Sequence, residues 1–257
     1  MCSYEHVESA ERQELILGAL RERSRVSVGE LAGLTGCSEM TIRRDLDVLE
    51  REGLLRRVRG AAVSMLAGEE TPFGVRVRRH VEAKRRIGAE VASLLDDGES
   101  VVLDSGTTAL EVARAATARR LTVLPLSLHI ATALDGADDV HLVVPGGDVR
   151  KPEQAFIGPL TEYALDRMRF DTLVLGCCGV SAPDGVTAFD LAESQVKRAA
   201  LRASARVVAA VDSSKLGRRA FARVCALTAL DVLVTDTDAP AAEVDRLTEA
   251  GVEVRLV

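Results

Sequence analysis

From residue 100 onward the chain alternates short apolar runs with longer amphipathic stretches, and this alternation restricts the possible folds more than any other feature. The runs fall at 101–103, 121–124, 140–144, 172–175, 207–211, 232–234 and 252–257. A strand covered by helices on both faces has no polar side, so it reads as a nearly continuous apolar run. Strands of this kind alternating with helices predict an α/β domain with a largely parallel sheet.

In open sheets of this class, ligands bind beyond the carboxyl ends of the strands. Small, polar and charged residues follow the runs here: Asp104 to Thr108, Ser127, Gly146-Gly147-Asp148, Gly176 to Gly179, Asp212 to Lys215, and Asp236. The segment Asp104-Ser105-Gly106-Thr107-Thr108 is the most specific of them. It follows a strand and opens a helix running to about Ala118. Free N–H groups at a helix start, the helix dipole and three hydroxyls together make an anion cradle. Gly106 lets the backbone approach a ligand closely. Neither a Walker loop nor a dinucleotide fingerprint is present. The competing reading is a plain helix cap, for which Ser and Thr are routine.

The N-terminal part follows a different pattern. Residues 9–25 read as a helix with Ile16 and Leu20 on one face, and residues 25–27 as a short extended link. Ser27-Val28-Gly29-Glu30 is a capping box that opens a short helix over 28–35. Gly36-Cys37 makes the turn, and residues 38–53 form a second helix, capped by Ser38 and ended at Gly53. Ile42, Leu46 and Leu49 share its buried stripe, which leaves Met40, Thr41, Arg43, Arg44 and Asp47 pointing elsewhere. Two short helices joined by a tight turn describe a helix-turn-helix, whose second helix enters the major groove. A short hairpin follows, turning near Arg59-Gly60 and carrying Arg56, Arg57 and Arg59 as a basic wing. Paired arginines also suit a plain solvated face, so this helix alone decides nothing.

Bulk properties narrow the classes. The net charge is −6, so attraction to nucleic acid has to come from a local basic patch. The five cysteines form no Cys-x-x-Cys pair and show no ligand spacing with the four histidines, which argues against structural zinc and for reduced thiols. The polar, acidic start is not a signal peptide, and no apolar run is long enough to cross a bilayer. Lysine occurs only at Lys84, Lys151, Lys197 and Lys215 in an arginine-rich chain. A residue so sparingly used can mark a place that wants a compact ammonium, with chance as the alternative. Lys197 stands one turn after Glu193 in a helix opened by the capping box at 190–193. A surface ion pair worth roughly 0.2–0.5 kcal/mol is the alternative there. Lys215 and Asp212 lie just beyond a strand end, where they suit a phosphate and a sugar hydroxyl, or simple loop decoration.

Several of these motifs together resemble one family. Glu30-Leu31-Ala32, Thr41-Ile42-Arg43-Arg44-Asp45-Leu46, and Leu49-Glu50-x-x-Gly53-x-Leu55-x-Arg57 look like the winged helix-turn-helix of the DeoR family of bacterial transcription regulators. Lys84 with Ile87, the Asp-Ser-Gly-Thr-Thr run, Gly146-Gly147, Gly158-Pro159, Glu193 with Lys197, and Asp212-x-Ser214-Lys215 resemble the C-terminal sensor of the same family. That sensor is similar to ribose-phosphate isomerases and binds sugar phosphates. Two departures stand out. The wing tip reads Arg59-Gly60-Ala61-Ala62 where the family usually has a His-Gly-Gly-Ala type sequence, and Leu126-Ser127 lacks the asparagine often found before this helix.

The expectation is therefore a winged helix-turn-helix domain at 1–65, a linker at 66–74 containing Gly68, Pro72 and Gly74, and an α/β sensor at 75–257 opening on a helix over 75–95. Ser38, Met40, Thr41, Arg43, Arg44, Arg56, Arg57 and Arg59 are the expected DNA contacts. Asp104, Ser105, Gly106, Thr107, Thr108, Gly146, Gly147, Lys197, Asp212 and Lys215 are the expected effector contacts. The implied protein is a cytoplasmic, sequence-specific repressor of a sugar operon, with double-stranded operator DNA and a sugar phosphate as partners. It is expected to form a dimer or tetramer, to need no cofactor or metal, and to make no membrane contact. The rival class is a sugar-phosphate isomerase with an appended DNA-binding domain, in which Asp104, Asp212 and Lys197 supply acid–base groups. A third is a winged helix that binds protein rather than DNA.

Overall fold

A computed structural model of the chain describes residues 9–23, 25–51, 55–64, 71–151 and 153–257. The chain divides into two compact units, Met1–Val75 and Arg76–Val257.

The first unit contains helix α1 (Ser9–Arg23), strand β1 (Arg25–Ser27), helices α2 (Val28–Thr35) and α3 (Glu39–Arg51), and strands β2 (Leu55–Val58) and β3 (Ala61–Ser64). The capping box is formed: Glu30 N–H donates to Ser27 Oγ at 3.2 Å, and Ser27 N–H donates back to Glu30 Oε2 at 2.7 Å. Gly36 ends α2 in the left-handed conformation at φ 67°, which a residue with a Cβ resists. Ser38 Oγ then accepts from Thr41 N–H at 3.2 Å and starts α3. The apolar stripe of α3 is buried as its spacing predicts, with Ile42, Leu46 and Leu49 packed with Ile16, Leu20, Val26 and Leu31. The expected stop at Gly53 lies outside the described residues, as does most of the expected linker.

Residues 25–27 were expected as a simple extended link. They form instead an edge strand of the wing, in the antiparallel order β1-β3-β2. The wing turns at Arg59-Gly60, where Val58 pairs with Ala61 and Gly60 has φ 72°.

The expected helix over 75–95 is broken. A single helical turn at Phe73–Arg76 (α4) is followed by a non-helical stretch, and α5 spans only Val81–Ser93. His80 enters α5 at φ 51°, which interrupts the ladder. The buried ammonium of Lys84 stabilises the break by taking the carbonyls of Arg76 at 2.6 Å and Arg79 at 2.8 Å, groups that a continuous helix would have used.

The seven apolar runs become seven strands of one wholly parallel sheet: β4 (Ser100–Leu103), β5 (Leu121–Pro125), β6 (Val140–Leu142), β9 (Phe170–Leu175), β12 (Ser204–Ala210), β14 (Val232–Thr235) and β15 (Glu253–Leu256). Their order is β15-β14-β12-β9-β4-β5-β6. The intervening helices are α6 (Thr107–Ala115), α7 (Leu128–Leu134), α8 (Pro159–Asp166), α9 (Leu191–Ala203) and α10 (Ala241–Glu249). Gly88 lets α5 close on α6, since a Cβ there would sit 2.7 Å from the Glu111 carbonyl carbon. Two antiparallel pieces have no counterpart in the sequence pattern: the hairpin β7 (Asp148–Arg150)–β8 (Ala155–Ile157), and a small sheet of β10 (Gly179–Ser181), β11 (Gly185–Ala188) and β13 (Ala222–Cys225).

Strand order decides where a ligand fits. From β4 the chain moves outward through β5 and β6, then returns to β9 on the other side of β4 and proceeds through β12, β14 and β15. The reversal leaves a crevice at the carboxyl ends of β4 and β9, which is the switch point where such sheets bind ligands.

Candidate functional site

The first candidate surface is α3 and the wing. Ser38, Met40, Arg43 and Arg44 are exposed and Thr41 is half-buried, so the face opposite the Ile42–Leu46–Leu49 stripe is open to a partner. Arg43 pairs with Glu39 one turn earlier at 2.9 Å. Among the described residues, Arg44 and Arg59 carry no ion pair. Arg57 is folded back instead: its guanidinium pairs with Asp47 and its N–H donates to Glu50 Oε1 at 2.7 Å.

Asp45 adds a contact that the reading of the sequence overlooked. It is buried and takes Arg12 of α1 through Nε at 2.5 Å and Nη2 at 3.1 Å. One acid of α3 is thus cancelled internally. The signal was present, since Asp45 lies three residues after Ile42 and four before Leu49, on the buried stripe.

The second candidate site lies at the switch point. Asp104, only 1% exposed at the end of β4, is held by three donors. Its Oδ1 accepts from Ser105 N–H at 2.8 Å, and its Oδ2 accepts from Gly176 N–H at 2.8 Å and from Lys197 Nζ. Burial pulls the Lys197 ammonium down, but the facing carboxylates of Asp104 and Glu193 outweigh it and hold the group charged. The surface ion pair weighed as the alternative for Glu193 and Lys197 does not form. Lys197 is 4% exposed, and Glu193 pairs with Arg150 of β7 at 2.6 Å. Asp104, Ser105, Phe156, Glu193 and Lys197 line one small recess.

Beside it, α6 starts at Gly106, which has φ 114° and offers no side-chain cap to the first turn. The hydroxyls of Ser105, Thr107 and Thr108 are largely buried next to these N–H groups. A helix start without a protein cap, facing a buried ammonium, suits an anion.

A second cationic group gathers at the end of β12. Asp212 accepts from Ser214 Oγ and from Ser214 N–H at 3.2 Å. Burial pushes its carboxyl up, but Lys215, the Ser214 bond, Lys84 and His80 together hold it below the usual carboxylate range. Burial lowers the Lys84 ammonium to about 8 even though Asp212 opposes the shift. Burial likewise raises the Cys177 thiol at the end of β9, between Lys197 and Lys215. At the end of β14, Asp236 Oδ1 accepts from Ser213 N–H at 2.7 Å, while Oδ2 is buried with no hydrogen-bond partner. Asp104, Ser105, Gly106, Thr107, Thr108, Lys197, Asp212 and Lys215 thus gather on one edge of one sheet. Gly146 and Gly147 lie before β7, bonded to α8: Thr161 Oγ1 donates to Gly146 O at 2.7 Å.

Family models match both parts of the chain. Residues 12–66 match the DeoR-like helix-turn-helix domain, and residues 79–237 match the DeoR C terminal sensor domain. The chain belongs to the DeoR family. One DeoR-family relative is the HTH-type transcriptional regulator GlpR of Haloferax volcanii, 33% identical, with 95% of this chain and 96% of that one aligned. Another is the glycerol-3-phosphate regulon repressor of Escherichia coli, 29% identical over 97% of this chain and 100% of that one. Among solved structures, ribose 5-phosphate isomerase A of Methanocaldococcus jannaschii aligns at a TM-score of 0.40 and 17% identity, covering 52% of this chain and 54% of that one.

In this DeoR-family chain, the ion pairs of the sensor are the residues that sequence reasoning missed. Arg150 meets Glu193 across 43 positions, and Arg76 meets Glu153 across 77. No local spacing announces such partners. Among the described residues, no group of His, Cys, Asp and Glu is placed to hold a metal ion, and no helix is long and apolar enough to cross a membrane.

Proposed function

We propose that this chain is a sequence-specific DNA-binding transcriptional repressor whose affinity for operator DNA is set by a phosphorylated sugar or polyol. Recognition falls to Met40, Thr41, Arg43 and Arg44 on α3, with Ser38 fixing the helix start. Arg56, Arg57 and Arg59 hold the DNA backbone from the wing, for which Arg57 exchanges Asp47 for phosphate. The effector phosphate rests on Ser105 to Thr108, near Lys197 and Lys215. Asp212 accepts a sugar hydroxyl, and Gly146 lets the backbone approach the ligand, whereas the space at Gly147 is taken by Thr161 of α8. The observation that carries the effector reading is the uncapped first turn of α6 beside a buried, charged lysine at the switch point.

The regulatory reading outranks an enzyme for two reasons. Two relatives that align nearly end to end are a transcriptional regulator and a regulon repressor. Asp104 and Lys197 are also ion-paired with each other, so either would have to give up its buried partner before transferring a proton. The protein works in the cytoplasm as a dimer or tetramer, matching a two-fold operator. It requires no cofactor.

Two assays test this reading. A thermal-shift screen of ribose 5-phosphate, fructose 1-phosphate, glucose 6-phosphate and glycerol 3-phosphate should find at least one stabilising ligand, while the unphosphorylated sugars and glycerol do not. Isomerase turnover of a pentose or hexose phosphate would overturn the regulatory reading.

A further inference from the structure

The β7–β8 hairpin carries two ion pairs, each with a buried carboxylate and a partly exposed guanidinium, that point in different directions along the chain. At its β7 end, Arg150 reaches Glu193, one turn before Lys197 on α9, through Nε at 2.7 Å and Nη2 at 2.6 Å. Within the turn, Glu153 is 2% exposed and pairs with the Arg76 guanidinium. Arg76 is the first residue of the sensor unit, where the segment from the DNA-binding unit enters. Its carbonyl is also fixed, by Lys84 Nζ at 2.6 Å. Arg76 is therefore gripped twice, and the hairpin holding its side chain also supplies Ala155 and Phe156 to the recess at Asp104 and Lys197.

Only two positions lie between the two hairpin charges, and the short ladder of β7 on β8 closes at Arg150 and Ala155. The ladder, with Gln154 N–H donating to Lys151 O at 3.4 Å, ties the position of Glu153 to that of Arg150. Half-separating such a pair would leave a buried carboxylate without its partner, so discrete arrangements are favoured over partial ones.

We propose that this hairpin is the relay between effector and DNA. Ligand at the sheet edge perturbs Arg150–Glu193, the hairpin shifts, and Glu153 changes its grip on Arg76, which resets the segment leading to the DNA-binding unit. Glu153 and Arg76 are positioning residues, and neither touches ligand or DNA. The relay rests on the effector reading proposed above.

The test uses the full chain and a DNA duplex selected from a random pool for tight binding. Its affinity is measured with and without each of the four sugar phosphates named above. Wild type should show a change of about fivefold or more with at least one of them. Glu153→Gln should bind that compound and the duplex each within about threefold of wild type, while the coupling between them falls toward onefold. The exchanged pair Arg76→Glu with Glu153→Arg should recover coupling. Hydrogen exchange at residues 76–80 should respond to the compound in wild type and not in Glu153→Gln. Full coupling in a folded Glu153→Gln protein overturns the relay alone. If Glu153→Gln does not fold, exchange at 76–80 in wild type decides, and no change on ligand binding overturns the relay. If no compound alters duplex affinity in wild type, the effector reading fails and the relay fails with it.

Discussion

Arg12 of α1 reaches across the first unit to Asp45 of α3, with Nε 2.5 Å from Oδ2 and Nη2 3.1 Å from Oδ1. The contact ties the helix expected to read DNA to the helix that supports it, from the same turns that present Arg43 and Arg44. Their side chains are 12% and 7% exposed, so the pair is partly screened. Asp45→Asn should cost about 1–2 kcal/mol in the DNA-binding unit, less than the ~3–5 kcal/mol of breaking a fully buried pair. Denaturant unfolding of that unit checks it. A loss below about 0.3 kcal/mol would reduce the pair to a surface contact.

Arg43→Ala and Arg44→Ala should each weaken binding to the selected duplex by about 1–3 kcal/mol, if each reads a base edge. The larger loss should fall at Arg44, which carries no ion pair among the described residues, whereas Arg43 must first leave Glu39. Fluorescence anisotropy at matched salt measures both. Equal losses on selected and random duplexes would turn both arginines into phosphate contacts.

At the sheet edge, Lys197→Met should destabilise the sensor unit by about 3–5 kcal/mol, since it leaves the Asp104 carboxylate buried and unpaired. The double variant Lys197→Met with Asp104→Leu should regain much of that loss, because no charge is stranded. Neither variant should respond to a sugar phosphate. Calorimetry on the four members of the cycle checks the stability argument. Additive losses would show that the two residues do not act as a pair.

Much of this architecture was legible in the residues. Seven apolar runs became seven parallel strands; the central ones are largely buried, as a strand covered on both faces has no polar side, while the edge strands β6 and β15 stay partly exposed. The capping box and the α3 stripe appeared where their spacing predicted, because both are set by neighbours within a few positions. The break at His80 was not legible. It depends on Lys84 turning its buried ammonium back onto two carbonyls, a tertiary event inside a helical pattern. The small antiparallel pieces were missed because most of them mix polar, charged or glycine residues, as in Asp148–Arg150 and Gly179–Ser181, and so show no apolar run, and they are too short to show a period. Of the candidate site, the Asp104–Thr108 cradle was visible as a motif at a strand end. The partner of Lys197 was not, since Asp104 lies 93 positions away.

Lys84 gives the sensor unit a distinctive pH response. Its folded value of about 8 lies below the ordinary 10.5, so between these limits the unfolded chain holds a proton that the folded chain has released. Its contribution to stability therefore rises with pH across that window and is lowest below pH 8. Lys84→Met should flatten this part of the stability–pH curve. Urea unfolding at several pH values between about 7 and 10.5 measures it. An identical slope in wild type and variant would mean that Lys84 titrates normally.

The most direct measurement is the affinity of the full chain for the selected duplex, titrated with each sugar phosphate at fixed salt. The expected result is tight, sequence-selective binding that changes by about fivefold or more with one phosphorylated compound and not with its unphosphorylated form. An affinity that no compound alters, or binding that does not distinguish the selected duplex from random DNA, would contradict the account.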